Sequence, residues 1–497
     1  MCLDILRACQ HIIVTAVRQC LWISLVNAAL TVPSNALANK EMRILVYGHF
    51  RGSLDPILTY SPYELSVISC FLQRITKVDS FGRLVGDLAK NWTISENGLA
   101  YEFQLSETSG LSAIDVKASL ERALSPSSLI LHKKLLADLL EENGIDILGP
   151  NRIGIKLKKA YPAFLYLLTT PELSIYKVKK ASVTGGSGPF TIQVKQANKS
   201  FKLMNRSAKS EFPAKVAVAV EDQIDSIRKI VGDSKAEIVL GVPAKEIPTL
   251  RLPKGYVLQS GQFANPLHIE LNRRKEIFRN SAFRKDISLI VWAAAKEWSQ
   301  NNQWMVFHPF LLPPGLLPPK YYSREISDAA SAQAFKRRWA SYIERTKIKL
   351  WANKSYVDQN FVSKLVSRLE ASGLNIELNS EPFREVKNQI ENFDMTFVDG
   401  AHYFPDPDSY LEIWPQILPQ FPFPGLDLLN GIQRSRFTKN PAERLNAYVD
   451  QVTRFEKLHW TIPLFNSYDP IIKKDHVLIP DNFLRPFDTF CFSRFIK

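Results

Sequence analysis

Two short apolar runs, Ile348–Trp351 and Leu374–Leu378, flank a segment of helical periodicity, Val357–Glu370. Parallel strands cannot be joined by a tight turn and need a crossover of about a dozen residues or more, so this spacing is that of a β-α-β unit. It commits the chain to an α/β architecture, with helices laid over a sheet. At 497 residues the chain is also too long for one core and should divide into two or three lobes.

The unit leads into Asp394–Trp414, DMTFVDGAHYFPDPDSYLEIW. Met395–Val398 is an apolar run of buried-strand length, ended by Asp399-Gly400. A loop then carries His402, Tyr403 and Phe404, and Pro405 and Pro407 forbid regular pairing by removing backbone donors. Asp408-Ser409 read as the cap of a helix with Glu412 in its first turn, and Asp406 shares in shaping the loop. A strand followed by an aromatic loop and a capped helix aims side chains into a cleft from a rigid base.

Elsewhere the periodicity predicts helices over Glu64–Ile75, Val116–Ala123 (capped by Ser112–Asp115), Leu129–Leu140, Tyr161–Leu168 and Ala282–Ala295. Asp328–Arg345 should turn Ala330, Ala334, Trp339 and Ile343 inward, and Glu443–Glu456 should bury Leu445, Val449, Val452 and Phe455. Asn97-Gly98 is the strongest hairpin signal in the chain. Two apolar segments, Pro266–Leu271 and Ile462–Phe465, look like strands crossing between lobes. Gly185–Pro189 reads as a flexible turn; it lacks the Gly-Lys-Ser/Thr of a phosphate loop and the closing glycine of a nucleophile elbow.

The formal charge of +14 is large but diffuse. No run of Lys and Arg forms a nucleic-acid arm, so the cations describe a solvated face with a general attraction to anions. Near the N-terminus the apolar run Leu21–Val32 is too short to span a bilayer comfortably. Ala36-Leu37-Ala38 behind it fits a signal-peptidase site, so residues 1–38 are expected to be an export signal, cleaved near Ala38 in a periplasmic protein. Of five cysteines only Cys70 and Cys491 then remain, which is neither a disulfide framework nor a metal-site spacing, and whether they bond is left open.

A family resemblance rests on nine stretches in order along the mature chain. They are Leu45–Gly48, Leu54–Pro56, Leu84–Leu105, Leu111–Leu124, Tyr161–Thr169, Gly186–Ile192, Phe278–Trp292, Pro405–Leu411 and Ile462–Asp475. Together they resemble the family 5 extracellular solute-binding proteins, the oligopeptide- and dipeptide-binding components of ABC importers. The resemblance implies a bilobal periplasmic-binding-protein fold (type II, cluster C-like) with a small extra domain inserted in the first lobe. On that reading residues 39–56, 171–264 and 467–497 form the first lobe, 57–170 the inserted domain and 265–466 the second lobe. It further implies a monomer without cofactor or enzymatic chemistry, which captures a peptide or peptide-like solute and delivers it to permease subunits in the inner membrane.

In peptide-binding members of that family an aspartate before the proline–aspartate segment pairs with the ligand's α-amino group. Here His402 or Tyr403 stands at that place, and the nearest acid is Asp399. Asp399 is therefore the candidate partner of a cationic ligand group. Phe50, Trp304, Tyr403 and Phe404 are candidate pocket walls, Arg51 a candidate partner for a ligand carboxylate, and His402 a further ligand contact. His49 and His402 could alternatively meet and bind a metal, although no metal site is expected. The displaced acid also leaves room for a sensor or scaffold that keeps the fold without import.

Overall fold

The computed structural model describes residues 41–479, apart from 49, 51–53, 60–61, 80–81, 180–181, 197–198, 208–212, 244–245, 248–249, 324–330, 345, 355–356, 400–403 and 413–425. The export signal and Cys491 lie outside the described residues. Cys70 is buried on a helix, with its thiol 3.5 Å from the Ser66 carbonyl.

One eleven-stranded sheet runs through both lobes. Its strands in chain order are β1 (Glu41–Tyr47), β2 (Phe190–Gln196), β3 (Ser200–Asn205), β4 (Lys215–Glu221), β5 (Ile238–Leu240) and β6 (Tyr256–Leu271). They continue with β7 (Met305–Phe307), β8 (Lys347–Trp351), β9 (Asn375–Asn379), β10 (Met395–Asp399) and β11 (Thr461–Lys474). The spatial order is β2-β3-β4-β1-β5-β11-β6-β10-β8-β9, with β7 also paired to β11. Strands β6 and β11 contain the two segments expected to cross between lobes. They pair antiparallel from Tyr256 opposite Lys474 to Glu270 opposite Thr461, with the register shifting between Ser260 and Ala264. Both are far longer than the six- and four-residue segments that the sequence suggests. Polar residues such as Gln259 and Asn265 extend the ladder because the neighbouring strand satisfies their backbone groups, whatever their hydropathy.

Helix α1 spans Pro62–Phe71 and α2 spans Ala113–Ala123. Ser112 and Asp115 form the capping box of α2. A separate four-stranded sheet packs against α2 and includes the hairpin Ala89–Ile94/Ala100–Leu105, turned by Gly98 at φ 72°. The core around these elements is continuous with that of β1 to β4.

In the second lobe, α3 (Ser281–Ser299), α4 (Ala332–Ile343) and α5 (Gln359–Ala371) cover one face of β6, β8, β10 and β11. Strands β8 and β9 are parallel and α5 connects them, so the β-α-β unit is present as read. On α4, Phe335 takes the inward position expected of Ala334, which is exposed; the larger ring packs on Phe283 at 5.6 Å and sets the helix rotation. No helix among the described residues is long and apolar enough to cross a membrane.

The Gly185–Pro189 turn is not a flexible one. A Cβ on Gly188 would lie 2.5 Å from the Phe71 carbonyl carbon, and the Gly188 N–H donates to Phe71 O at 3.0 Å. The glycines there allow backbone to lie on backbone at the end of α1.

Candidate functional site

Asp399 is the last residue of β10, opposite Leu267 on β6. It is solvent-exposed at the strand's end, next to the loop that follows β10. Desolvation by the surrounding protein raises its carboxyl above the usual range, while its own backbone N–H and nearby His268 pull the other way.

Alternation along β6 puts Leu267, Ile269 and Leu271 into the apolar core of the second lobe and turns His268 and Glu270 to the opposite face. There His268 Nδ1 lies 3.2 Å from the Tyr410 hydroxyl and Nε2 lies 3.3 Å from Glu270 Oε1. Thr461, across from Glu270 on β11, donates to Glu270 Oε1 at 2.6 Å. All four are buried and form a polar seam. The spacing of His268 and Glu270 in PLHIEL, two residues apart in an alternating strand, was the available sequence signal for it.

The segment after the cleft loop is held by charge. Short helix α6 (Asp408–Leu411) begins where Asp406 Oδ1 accepts the Asp408 N–H at 3.0 Å. Two helices, α7 (Leu426–Arg436) and α8 (Pro441–Glu456), bring Arg436 and Arg444 to it. Arg436 contacts Asp408 at 3.1 Å and Glu412 at 2.7 Å. Arg444 reaches Asp406 and, at 3.2 Å, Asp408. Burial opposes the charge on Arg444, but the carboxylates around it more than offset this and hold its pKa above the ordinary arginine value. Asp406 keeps a capping role, whereas Asp408, read as a cap, is a fully buried member of this network. The inward face of α8 accordingly contains Arg444 and Tyr448 beside Val452 and Phe455, with Leu445 and Val449 only half-buried.

The candidate pocket walls are placed differently from expectation. Phe50 is 1% exposed and stacks on Phe201 at 5.8 Å. Trp304 is packed with Leu45, Ile227, Tyr256 and Ile472. Phe404 is fully buried, edge-on to His132 at 5.0 Å. Each ring is covered by protein and contributes packing, because a flanking apolar cluster outcompetes an open cleft for an aromatic surface. Arg51, His402 and Tyr403 lie outside the described residues, as does His49 of the alternative metal site. Among the described residues no group of three or more His, Cys, Asp or Glu side chains is placed to hold a metal ion.

Residues 83–291 match the family model "Bacterial extracellular solute-binding proteins, family 5 Middle". The chain is 27% identical over 179 residues to the glutathione-binding protein GsiB of Escherichia coli O1:K1 / APEC, a stretch covering 33% of this chain and 34% of that protein. The match thus spans about a third of the length of the curated relative. Among solved structures, the periplasmic binding protein DppA of Helicobacter pylori in complex with peptide STSA superposes with a TM-score of 0.75 at 16% identity. That superposition covers 92% of this chain and 98% of DppA. The murein tripeptide binding protein MppA of Escherichia coli also gives 0.75, at 14% identity over 93% of this chain and 99% of its own. The fold is that of bilobal periplasmic binding proteins.

Proposed function

We propose that the chain is a family 5 extracellular solute-binding protein that captures a peptide or peptide-like solute between its lobes for delivery to an ABC permease. The family binds solutes and does not carry out catalysis. The proposed site of action is the periplasm, after removal of the signal at residues 1–38. The proposed division is 39–56, 171–264 and 467–497 for the first lobe, 57–170 for the inserted domain and 265–466 for the second lobe. The protein works as a monomer in this reading.

The observation that carries the reading is Asp399, a solvent-exposed carboxylate at the end of β10, paired there with Leu267 of β6. Such an acid suits a cationic ligand group, which it can meet in a charge-assisted hydrogen bond. Arg51, His402 and Tyr403 are proposed as further ligand contacts. A solute touching both lobes favours the closed arrangement by its differential affinity, which reports occupancy to the permease.

Native mass spectrometry of protein purified from cells tests this directly, with a co-purified mass of peptide size expected. A bare protein mass, together with no thermal shift across a library of di- to pentapeptides, would instead support the second reading. That reading is a periplasmic sensor or scaffold with the same fold, and His402 or Tyr403 standing where an aspartate is expected favours it.

A further inference from the structure

The buried apolar core built around β1–β4, α1, α2 and the four-stranded sheet is drawn from residues 42–240 and 471–479, with Phe404 buried among them and Phe437 packed against them from outside those ranges. Phe404, which follows the cleft loop of the second lobe, is fully buried within it. Its ring meets the edge of His132 at 5.0 Å. Two residues of α6 follow it across the same boundary. Asp408 Oδ2 accepts the Tyr161 hydroxyl at 3.1 Å, and the Ser409 carbonyl lies 3.4 Å from His132 Nε2. Phe437, just beyond α7, packs on Tyr161 at 6.4 Å and lies beneath Lys159 at 5.3 Å. His132 and Tyr161 are each 1% exposed, so the junction is closed to water.

We propose that Phe404 and the Tyr161–Asp408 hydrogen bond form a clasp that holds the second lobe against the inserted domain when the cleft is empty. Parting the lobes withdraws the Phe404 ring from an apolar socket and takes the Tyr161 hydroxyl from its acceptor. The first change returns apolar surface to water, and the second exchanges a buried hydrogen bond to a charged acceptor for hydrogen bonds to water. The clasp is also built to separate cleanly. Asp408 keeps Arg436 and Arg444, which ride on α7 and α8 of its own lobe, so opening strands no buried charge. Closure is thus favoured by a contact between the lobes themselves, and ligand adds to a preference already present.

The test needs no ligand and so fails or succeeds independently of the transport reading. Full-length mature protein is stripped of bound solute by unfolding and refolding, then compared by small-angle X-ray scattering and hydrogen–deuterium exchange with Phe404→Ala and Tyr161→Phe. The stripped parent should scatter as a compact particle with slow exchange over residues 128–140 and 161–168. Phe404→Ala should enlarge the particle and speed exchange in those segments of the opposite lobe. Tyr161→Phe keeps the ring and threatens folding little; it should lower the ratio of closed to open protein by roughly tenfold, the factor set by one hydrogen bond to a charged acceptor. A stripped parent that is already expanded overturns the clasp. So do two folded variants whose scattering and exchange match the parent.

Discussion

Arg444 donates two parallel hydrogen bonds to Asp406, at 2.6 and 2.8 Å, in a site where neither side chain is more than 7% exposed. The planar fork matches the carboxylate edge for edge, a geometry lysine cannot reproduce. Thirty-eight residues separate the partners, so the pair fixes the segment after the cleft loop to helix α8.

Replacing Arg444 by methionine leaves Asp406 and part of Asp408 uncompensated in a buried site. The expected loss is about 3–5 kcal/mol of stability, the range for removing one member of a buried ion pair. Arg444→Lys should recover only a part. Urea midpoints at pH 7 measure both, and a methionine variant as stable as the parent would show that water reaches the pair.

Asp399→Asn should weaken a ligand with a free amino group by about 1.5–3 kcal/mol, the worth of a charged hydrogen bond. The same change should leave an N-acetylated version of that ligand almost untouched. Isothermal titration with both ligands decides it, and equal affinity of parent and variant for the free amine removes Asp399 from the site.

His308 is buried with Nε2 3.0 Å from the Leu312 carbonyl, and burial pushes its pKa down to about 4. In the unfolded chain it titrates near 6.5. Between these values the unfolded state binds the proton and the folded state does not. Stability is therefore intact above pH 6.5 and falls as the pH drops toward 4, by up to about 1.4 kcal/mol per unit. His459, also lowered to about 4 by burial and by Lys285, contributes in the same window. Thermal unfolding from pH 7 to 4 should show a shallower decline for His308→Gln than for the parent.

Gly188→Ala places a methyl group 2.5–2.7 Å from backbone atoms of Cys70 and Phe71. Backbone yields little, so a loss of about 1–3 kcal/mol is expected. A melting temperature unchanged from the parent would mean that the turn is free to move away from α1.

What the sequence reveals and what it hides divides by range. The Asn97-Gly98 turn, the Ser112–Asp115 cap and the β-α-β unit are specified within a few residues of themselves, and all three form as read. Arg444 is invisible to the same reasoning, because a charge at an inward helical position looks like a solvent-facing one until its acids arrive from elsewhere in the chain. Phe404 misleads for a related reason. An aromatic in a loop before two prolines has the look of a pocket wall, and only the tertiary fold reveals an apolar socket waiting in the other lobe.

The pairing of β6 with β11 has a mechanical consequence. On the proposed lobe division the two crossing strands are bonded to each other, so they do not swing as independent straps. They move together as part of one sheet, flanked by β5 and β7 on β11 and by β10 on β6. The ladder between them loses register twice, between Ser260 and Ala264 and again at Leu267/His268. Any motion of one proposed lobe against the other must therefore deform both strands at once rather than each separately.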